Sequence, residues 1–314
     1  MLSRVAERMY WAGRYLERAE NTSRLINIYA TMLLDLPAET GIRWDHLLHI
    51  FGAEEPFRQT KSKRSEQTVM KFLIADPDNP ASILSSLRAA RENVRTSRDI
   101  VPTEGWECVN ELYLMGSKQL KRAATGRRRR FDTLSSVIQR CQQITGLLSG
   151  TMSHGQAYNF LRIGNFLERA DMTSRVVDVA ASTLAPETPA IKHYENTLWM
   201  AVLRSLSAYQ MYRRYMRRRV ASADVVAFLW CDPDFPRAVR RVLDVLSSSL
   251  ERLPHPEEPV RVVQELRSDV EIDREAPMDW ANLHDRIDRF QVDLGRLHAA
   301  IEQEWFLKEA EPPA

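Results

Sequence analysis

Gly13-Arg14-Tyr15-Leu16-Glu17-Arg18-Ala19-Glu20-Asn21-Thr22-Ser23-Arg24 returns 151 residues downstream as Gly164-Asn165-Phe166-Leu167-Glu168-Arg169-Ala170-Asp171-Met172-Thr173-Ser174-Arg175, with eight of the twelve positions identical. A second stretch, Phe72-Leu73-Ile74-Ala75-Asp76-Pro77-Asp78-Asn79-Pro80, returns as Phe228-Leu229-Trp230-Cys231-Asp232-Pro233-Asp234-Phe235-Pro236 at a spacing of 156. Between the two blocks, Trp44 and Trp199 open comparable helical stretches. Ordered matches at nearly one spacing read as an internal duplication with its seam near Ser153. The expected fold is all-α: a helical bundle built from two pseudo-symmetric repeats, 1–152 and 153–314, packed as one structural unit.

Apolar periodicity and punctuation divide each repeat into about six helices. The first set runs near 2–36, 41–60, 65–74, 80–100, 104–124 and 131–152, and the second near 155–183, 190–218, 222–230, 236–252, 258–273 and 281–307. Glycine is scarce, at 11 of 314 residues, which favours helix over glycine-turned strands. The Asp-Pro-Asp-x-Pro block reads as a helix stop followed by a helix start. Its first proline disfavours continuation, Asp or Asn supplies a cap, and the second proline suits a first turn. The six C-terminal residues, 309–314, read as a frayed tail.

The chain carries 44 basic and 42 acidic side chains, a net charge of +2, so no global field draws it to nucleic acid or anionic lipid. The runs Arg127–Arg130 and Arg213–Arg219 read as solvated basic surface. The first follows a turn at Thr125-Gly126, and the second wraps a helix end where cations complement the dipole. The tryptophans read as core anchors. Cys108, Cys141 and Cys231 have neither metal-ligand nor disulfide-framework spacing and are expected to be reduced. The N-terminal turns are charged, and no apolar run is long enough to span a bilayer. The expectation is a cytoplasmic protein with no membrane or nucleic-acid partner. There is no phosphate-binding loop, nucleophile elbow or zinc-protease signature. The seven histidines, His46, His49, His154, His193 and His284 among them, are scattered. His154, just ahead of the second Glu-Arg stretch, reads as a polar helix-start residue.

On a helical wheel Ala6, Tyr10, Gly13, Glu17, Glu20, Arg24 and Ile28 share one face, as do Ala157, Leu161, Gly164, Glu168, Asp171, Arg175 and Val179. A stripe that is apolar, then charged for two turns, then apolar again is expected to be buried throughout, with the glycine admitting a close backbone neighbour. Buried charges require partners. Glu20 with Arg24 and Asp171 with Arg175 provide them at i,i+4 spacing. A pseudo-twofold axis would further bring Glu17 to Arg175 and Glu168 to Arg24. Three uses of the cluster stand open. It is an ion-pair network that sets register between the repeats, a ligand site whose arginines grip carboxylate or phosphate, or a carboxylate-bridged metal centre. The Glu-x-x-His spacing of di-iron bundles is absent, so neither a metal nor another cofactor is assigned.

The stretch from Trp11 through Glu20, with Gly164 through Asp171, resembles the paired Glu-Arg signatures of the bacterial alpha-E domain family, and the likeness extends over essentially the whole chain. The matching positions are Glu17, Arg18, Glu168 and Arg169. The resemblance implies a helical protein encoded beside, or fused to, a circularly permuted ATP-grasp protein, often near a transglutaminase-like peptidase. It therefore implies a partner role in a system that joins carboxylate to amine through an acyl-phosphate. The expected function is a non-catalytic, accessory subunit of such a peptide or amide ligase. The alternative is a cryptic enzyme acting on a peptide or acyl intermediate at the cluster Glu17, Arg18, Glu20, Arg24, Glu168, Arg169, Asp171 and Arg175.

Overall fold

Both copies of the Glu-Arg stretch lie inside long helices free of proline: α1, Ser3–Asp35, and α8, Gln156–Leu184. A computed structural model of the chain describes residues 2–184, 192–217, 219–270 and 280–306. Between the two long helices come α2 (His46–Ile50), α3 (Glu54–Gln59), α4 (Glu66–Ala75), α5 (Ile83–Arg95), α6 (Thr103–Ala123) and α7 (Arg127–Thr151). After α8 follow α9 (Glu195–Ser205), α10 (Tyr209–Met216), α11 (Ser222–Cys231), α12 (Val239–Leu250), α13 (Glu257–Ser268) and α14 (Trp280–Trp305). There is no strand among the described residues, and the fold is all-α. No helix among them is long and apolar enough to cross a membrane.

α1 and α8 pack on each other along much of their length and run parallel, since their contact partners climb both helices together. α5 and α7 cover the remaining faces of α1, while α12 and α14 cover those of α8. The core is continuous across these layers and includes Met9, Ile26, Leu47, Leu87, Phe160, Leu203, Phe228 and Ile287. Trp199, Trp230 and Trp305 are buried, and Trp11, Trp44 and Trp106 are partly buried against the same core. Trp280's side chain and the tail 309–314 lie outside the described residues. Cys141 is buried, and burial raises its thiol pKa, with the Glu20 and Glu17 carboxylates adding to the effect.

Several helix boundaries differ from the expectation for identifiable reasons. The stretch 41–60 is two helices, broken where Gly52 takes a left-handed φ of 57° and Ala53 N–H donates to the Leu48 carbonyl at 2.8 Å. The stretch 190–218 breaks in the same manner. Ser207 has φ 55°, and Ala208 N–H donates to the Leu203 carbonyl at 2.6 Å. Such left-handed ends satisfy carbonyls that the helix leaves open. A serine in that role carries none of the glycine signal that marks it in sequence. Residues 190, 191 and 218 lie outside the described residues.

The Asp-Pro-Asp-x-Pro blocks do stop helices, with Asp76 and Asp232 at the C-caps of α4 and α11. The Asp76 and Asp232 carboxylates then accept from the N–H of Asp78 and Asp234 at 3.1 and 2.9 Å. The second proline, however, precedes the next helix instead of entering its first turn. α5 begins after the Ser82 cap and α12 after Ala238. The four arginines 127–130 likewise form the first turn of α7 and do not precede it. Cations there oppose the helix dipole. Glu66 offsets them, accepting from both Arg127 and Arg130, and the Arg130 guanidinium lies 5.4 Å from the Trp44 ring centroid.

Candidate functional site

The parallel pair is set at backbone contact by Gly13 and Gly164. A Cβ on Gly13 would collide with the Leu161 carbonyl, and one on Gly164 with the Tyr10 carbonyl. One turn beyond this crossing, Glu17 and Glu168 enter the seam between the helices with only 1% and 2% of their surface exposed. Burial at this depth makes an unpaired carboxylate prohibitive, and each is gripped by the arginine of the opposite motif. Arg169 donates to Glu17 through Nε at 3.0 Å and Nη2 at 2.8 Å. Arg18 donates to Glu168 through Nε at 2.6 Å and Nη2 at 2.9 Å. Two-point guanidinium–carboxylate pairs of this kind are among the strongest hydrogen-bonded contacts in proteins.

The expected cross-pairs of Glu17 with Arg175 and Glu168 with Arg24 are therefore corrected. Parallel helices in register place residue 17 beside 165 and 169, whereas Arg175 lies well over a turn farther along. Arg24 and Arg175 instead make the expected i,i+4 pairs. Arg24 donates to Glu20, and Arg175 Nε donates to Asp171 at 2.9 Å. Arg24 also donates to the hydroxyl of Ser207 at the α9–α10 break. The first stripe is buried from Ala6 through Arg24. The second opens partway at Asp171, Arg175 and Val179.

Three participants were not foreseen: Arg237 and His298, which lie outside both motifs, and Arg14, which lies inside the first. Arg237, just after the second Asp-Pro-Asp-x-Pro block, bridges Glu17 at 2.8 Å and Glu20 at 2.9 Å. Its position in the first block is Ala81, so comparing the repeats flags the difference but not its consequence. Arg14, aligned with Asn165, donates to Glu168 at 2.6 Å and to the Tyr10 hydroxyl at 3.0 Å. His298 of α14 places Nδ1 2.7 Å from that hydroxyl. Asn21 and Asn165 complete the shell of Glu17, donating at 3.1 and 2.9 Å. By contrast, the exposed His154 stacks on Tyr158 and is bonded to the Ser149 carbonyl.

Burial pushes the pKa of Glu17 up, but Arg169 and Arg237 outweigh it and hold the carboxyl at about 2. Arg18 and Arg14 do the same for Glu168, also at about 2. At Asp171 burial, reinforced by the neighbouring Glu168 carboxylate, prevails over Arg175 and Arg14, and the pKa is raised. All four acids, Glu17, Glu20, Glu168 and Asp171, thus present carboxylate oxygens to guanidinium groups, an ion-pairing arrangement rather than a metal-ligating one. Among the described residues, Asp178, His284 and Asp288 form one group with metal-ligand proximity. There His284 Nδ1 lies 2.6 Å from the Asp178 carboxylate, and the hydrogen bond it donates raises the His284 pKa and makes the ring a bridge between the Asp178 and Asp288 carboxylates.

The two flanks of the seam differ. On the Glu17 flank, Arg237 fills the space between α8 and the second block. On the Glu168 flank a cleft of about 320 Å³ opens between α1, α8, α14 and the first block, lined by Arg14, Arg18, Thr22, Ala81, Asp171 and Arg175 among others.

An uncharacterized protein of Mycobacterium bovis is 23% identical to this chain over 294 residues, covering 84% of this chain and 32% of that protein. Uncharacterized proteins from two strains of Mycobacterium tuberculosis show the same identity and coverage. The chain thus spans about a third of the length of these relatives. No solved structure matches it significantly. The family model Alpha-E, described as a predicted alpha-helical domain with a conserved ER motif, matches residues 1–306. The chain belongs to the Alpha-E family.

Proposed function

We propose that this chain is a non-catalytic helical subunit of an ATP-grasp peptide or amide ligase system, docking on the ligase and holding its substrate or product. The observation that carries this reading is the mutual neutralisation of the motif. Glu17, Arg18, Glu168 and Arg169 are bonded to one another inside the α1–α8 seam, where they weld two helices together. A motif used in this way is architecture, and the working surface lies outside the seam itself. The length of the mycobacterial relatives supports a partner role, because the region matched to this chain is only 32% of each. The ligase, a circularly permuted ATP-grasp protein, and a transglutaminase-like peptidase are the partners that the family resemblance implies. A cytoplasmic setting belongs to the same reading.

Gentle purification of the C-terminally tagged protein from its own cells, followed by mass spectrometry, tests the proposal. Recovery of an ATP-grasp protein in stoichiometric amount is the expected result; recovery of the chain alone across gentle salt conditions refutes it. The cleft beside Glu168 favours a second reading, an enzyme acting on a peptide or acyl intermediate. Loss of the system's activity in Glu168→Gln with unchanged melting would support that reading; loss of the fold would support the subunit.

A further inference from the structure

The cleft on the Glu168 flank has a built-in control, because the matching space on the other flank is filled by the protein itself. Arg237 follows the second Asp-Pro-Asp-x-Pro block and reaches Glu17 and Glu20, while Ala81 follows the first block and leaves the space open. The difference extends to the threonines of the two motifs. Thr173 donates to the Arg237 carbonyl at 3.1 Å. Thr22, only 2% exposed, stands in the wall of the cleft, and its buried hydroxyl has no hydrogen-bond partner among the described residues. A buried hydroxyl without a partner costs free energy that a ligand can recover.

The charges of the cleft set the sign of that ligand. Arg14, Arg18 and Arg175 face it against Glu168 and Asp171, leaving one positive charge over. His298, also in the wall, is pushed down in pKa by burial and by Arg14, so near neutral pH it adds none. Arg14 and Arg18 direct Nε towards Glu168, and Arg175 directs Nε to Asp171. The terminal nitrogens of Arg175 take part in no hydrogen bond among the described residues, and one of them lies against Gly52, where a Cβ would come within 2.9 Å. These are preorganised donors of the kind that bind planar oxyanions. Phe51 and Leu294 supply apolar wall beside them. The volume of about 320 Å³ is at the small end of ligand sites.

The geometry points to this cleft as a binding site for a small organic carboxylate with an apolar stem, its oxyanion held by Arg175 and the Thr22 hydroxyl. One excess cation matches one carboxylate, whereas a phosphate dianion would leave a buried negative charge. The site belongs to this chain alone and is independent of any ligase partner.

Isothermal titration of the full chain with N-acetyl-leucyl-alanine, with its C-terminal amide, with inorganic phosphate and with agmatine tests the assignment. Saturable binding of the free acid and none of the amide is expected. Arg175→Met should weaken binding about tenfold, and Thr22→Val should weaken it severalfold. Ala81→Arg should abolish binding by filling the cleft as Arg237 fills the other flank. Should Ala81→Arg fail to fold, Arg175→Met and Thr22→Val carry the test. Equal binding of acid and amide, tighter binding of phosphate or agmatine, or no binding of any probe overturns the proposal. So does unchanged affinity in a folded Arg175→Met.

Discussion

Glu17 sits between two guanidiniums and two side-chain amides, and every one of those donors except Asn21 comes from beyond residue 160. Removing its charge leaves Arg169 and Arg237 facing a neutral amide in a buried site. Glu17→Gln should therefore cost about 3–5 kcal/mol of stability, read by urea denaturation. Glu168→Gln should cost less, because the Arg14 and Arg18 side chains keep 13% and 22% of their surface exposed and can regain water. Acid should act through the same two groups. Their folded pKa values, about 2, lie below the ordinary 4.5. Their stabilisation is thus fully present above about pH 4.5 and lost as pH falls towards 2, with each contributing up to about 3 kcal/mol. Asp171, raised in pKa, has the opposite sign and offsets part of that loss as it takes up a proton. The urea midpoint should fall through this window, and Glu17→Gln should flatten the fall; an unchanged slope in the variant would remove Glu17 as its cause. At this scale the sequence revealed the eight charges of the cluster and both i,i+4 pairs, because helical spacing determines them. Arg237 and His298 stayed hidden, since their approach depends on how distant helices pack.

Helix–helix approach is decided at the glycines. Gly13→Ala or Gly164→Ala places a methyl group where a carbonyl of the facing helix stands, so α1 and α8 must separate and stretch the ion pairs one turn away. Each variant should lose about 3 kcal/mol or more in chemical denaturation. Gly146 and Gly150 on α7 supply the contrast. Both are exposed, and an added Cβ meets nothing within 4 Å. Alanine at either should stabilise by up to about 1 kcal/mol through helix propensity alone. Losses of equal size at all four positions would show that close packing is not what Gly13 and Gly164 provide. The glycine pair was legible because it falls on the buried stripe of both motifs. The break at Ser207 and the start of α7 were not, because Ser207 adopts a glycine-like conformation held by tertiary context, and the start of α7 depends on Glu66, 61 residues earlier.

For the molecule as a whole, the decisive fact is that the Glu-Arg charges of the two motifs, Glu17, Arg18, Glu168 and Arg169, are satisfied across residue 153. A chain ending there would keep Glu17 without Arg169 and Arg237, and a chain starting there would keep Glu168 without Arg14 and Arg18. Each fragment would also expose the face on which α1 meets α8, glycine contact included. The cost of the stranded carboxylates alone is several kcal/mol, comparable to the stability of an ordinary domain. The intact chain should therefore unfold in one cooperative transition. Cutting between α7 and α8 should yield fragments 1–152 and 153–314 that are largely unfolded when produced separately. Produced together, they should assemble into a one-to-one complex with the helicity of the intact chain, measured by circular dichroism and size-exclusion chromatography. A sharp thermal transition from either fragment alone would mean that its helices find sufficient partners within it. The Glu-Arg seam would then be an interface between finished domains instead of the shared core of one.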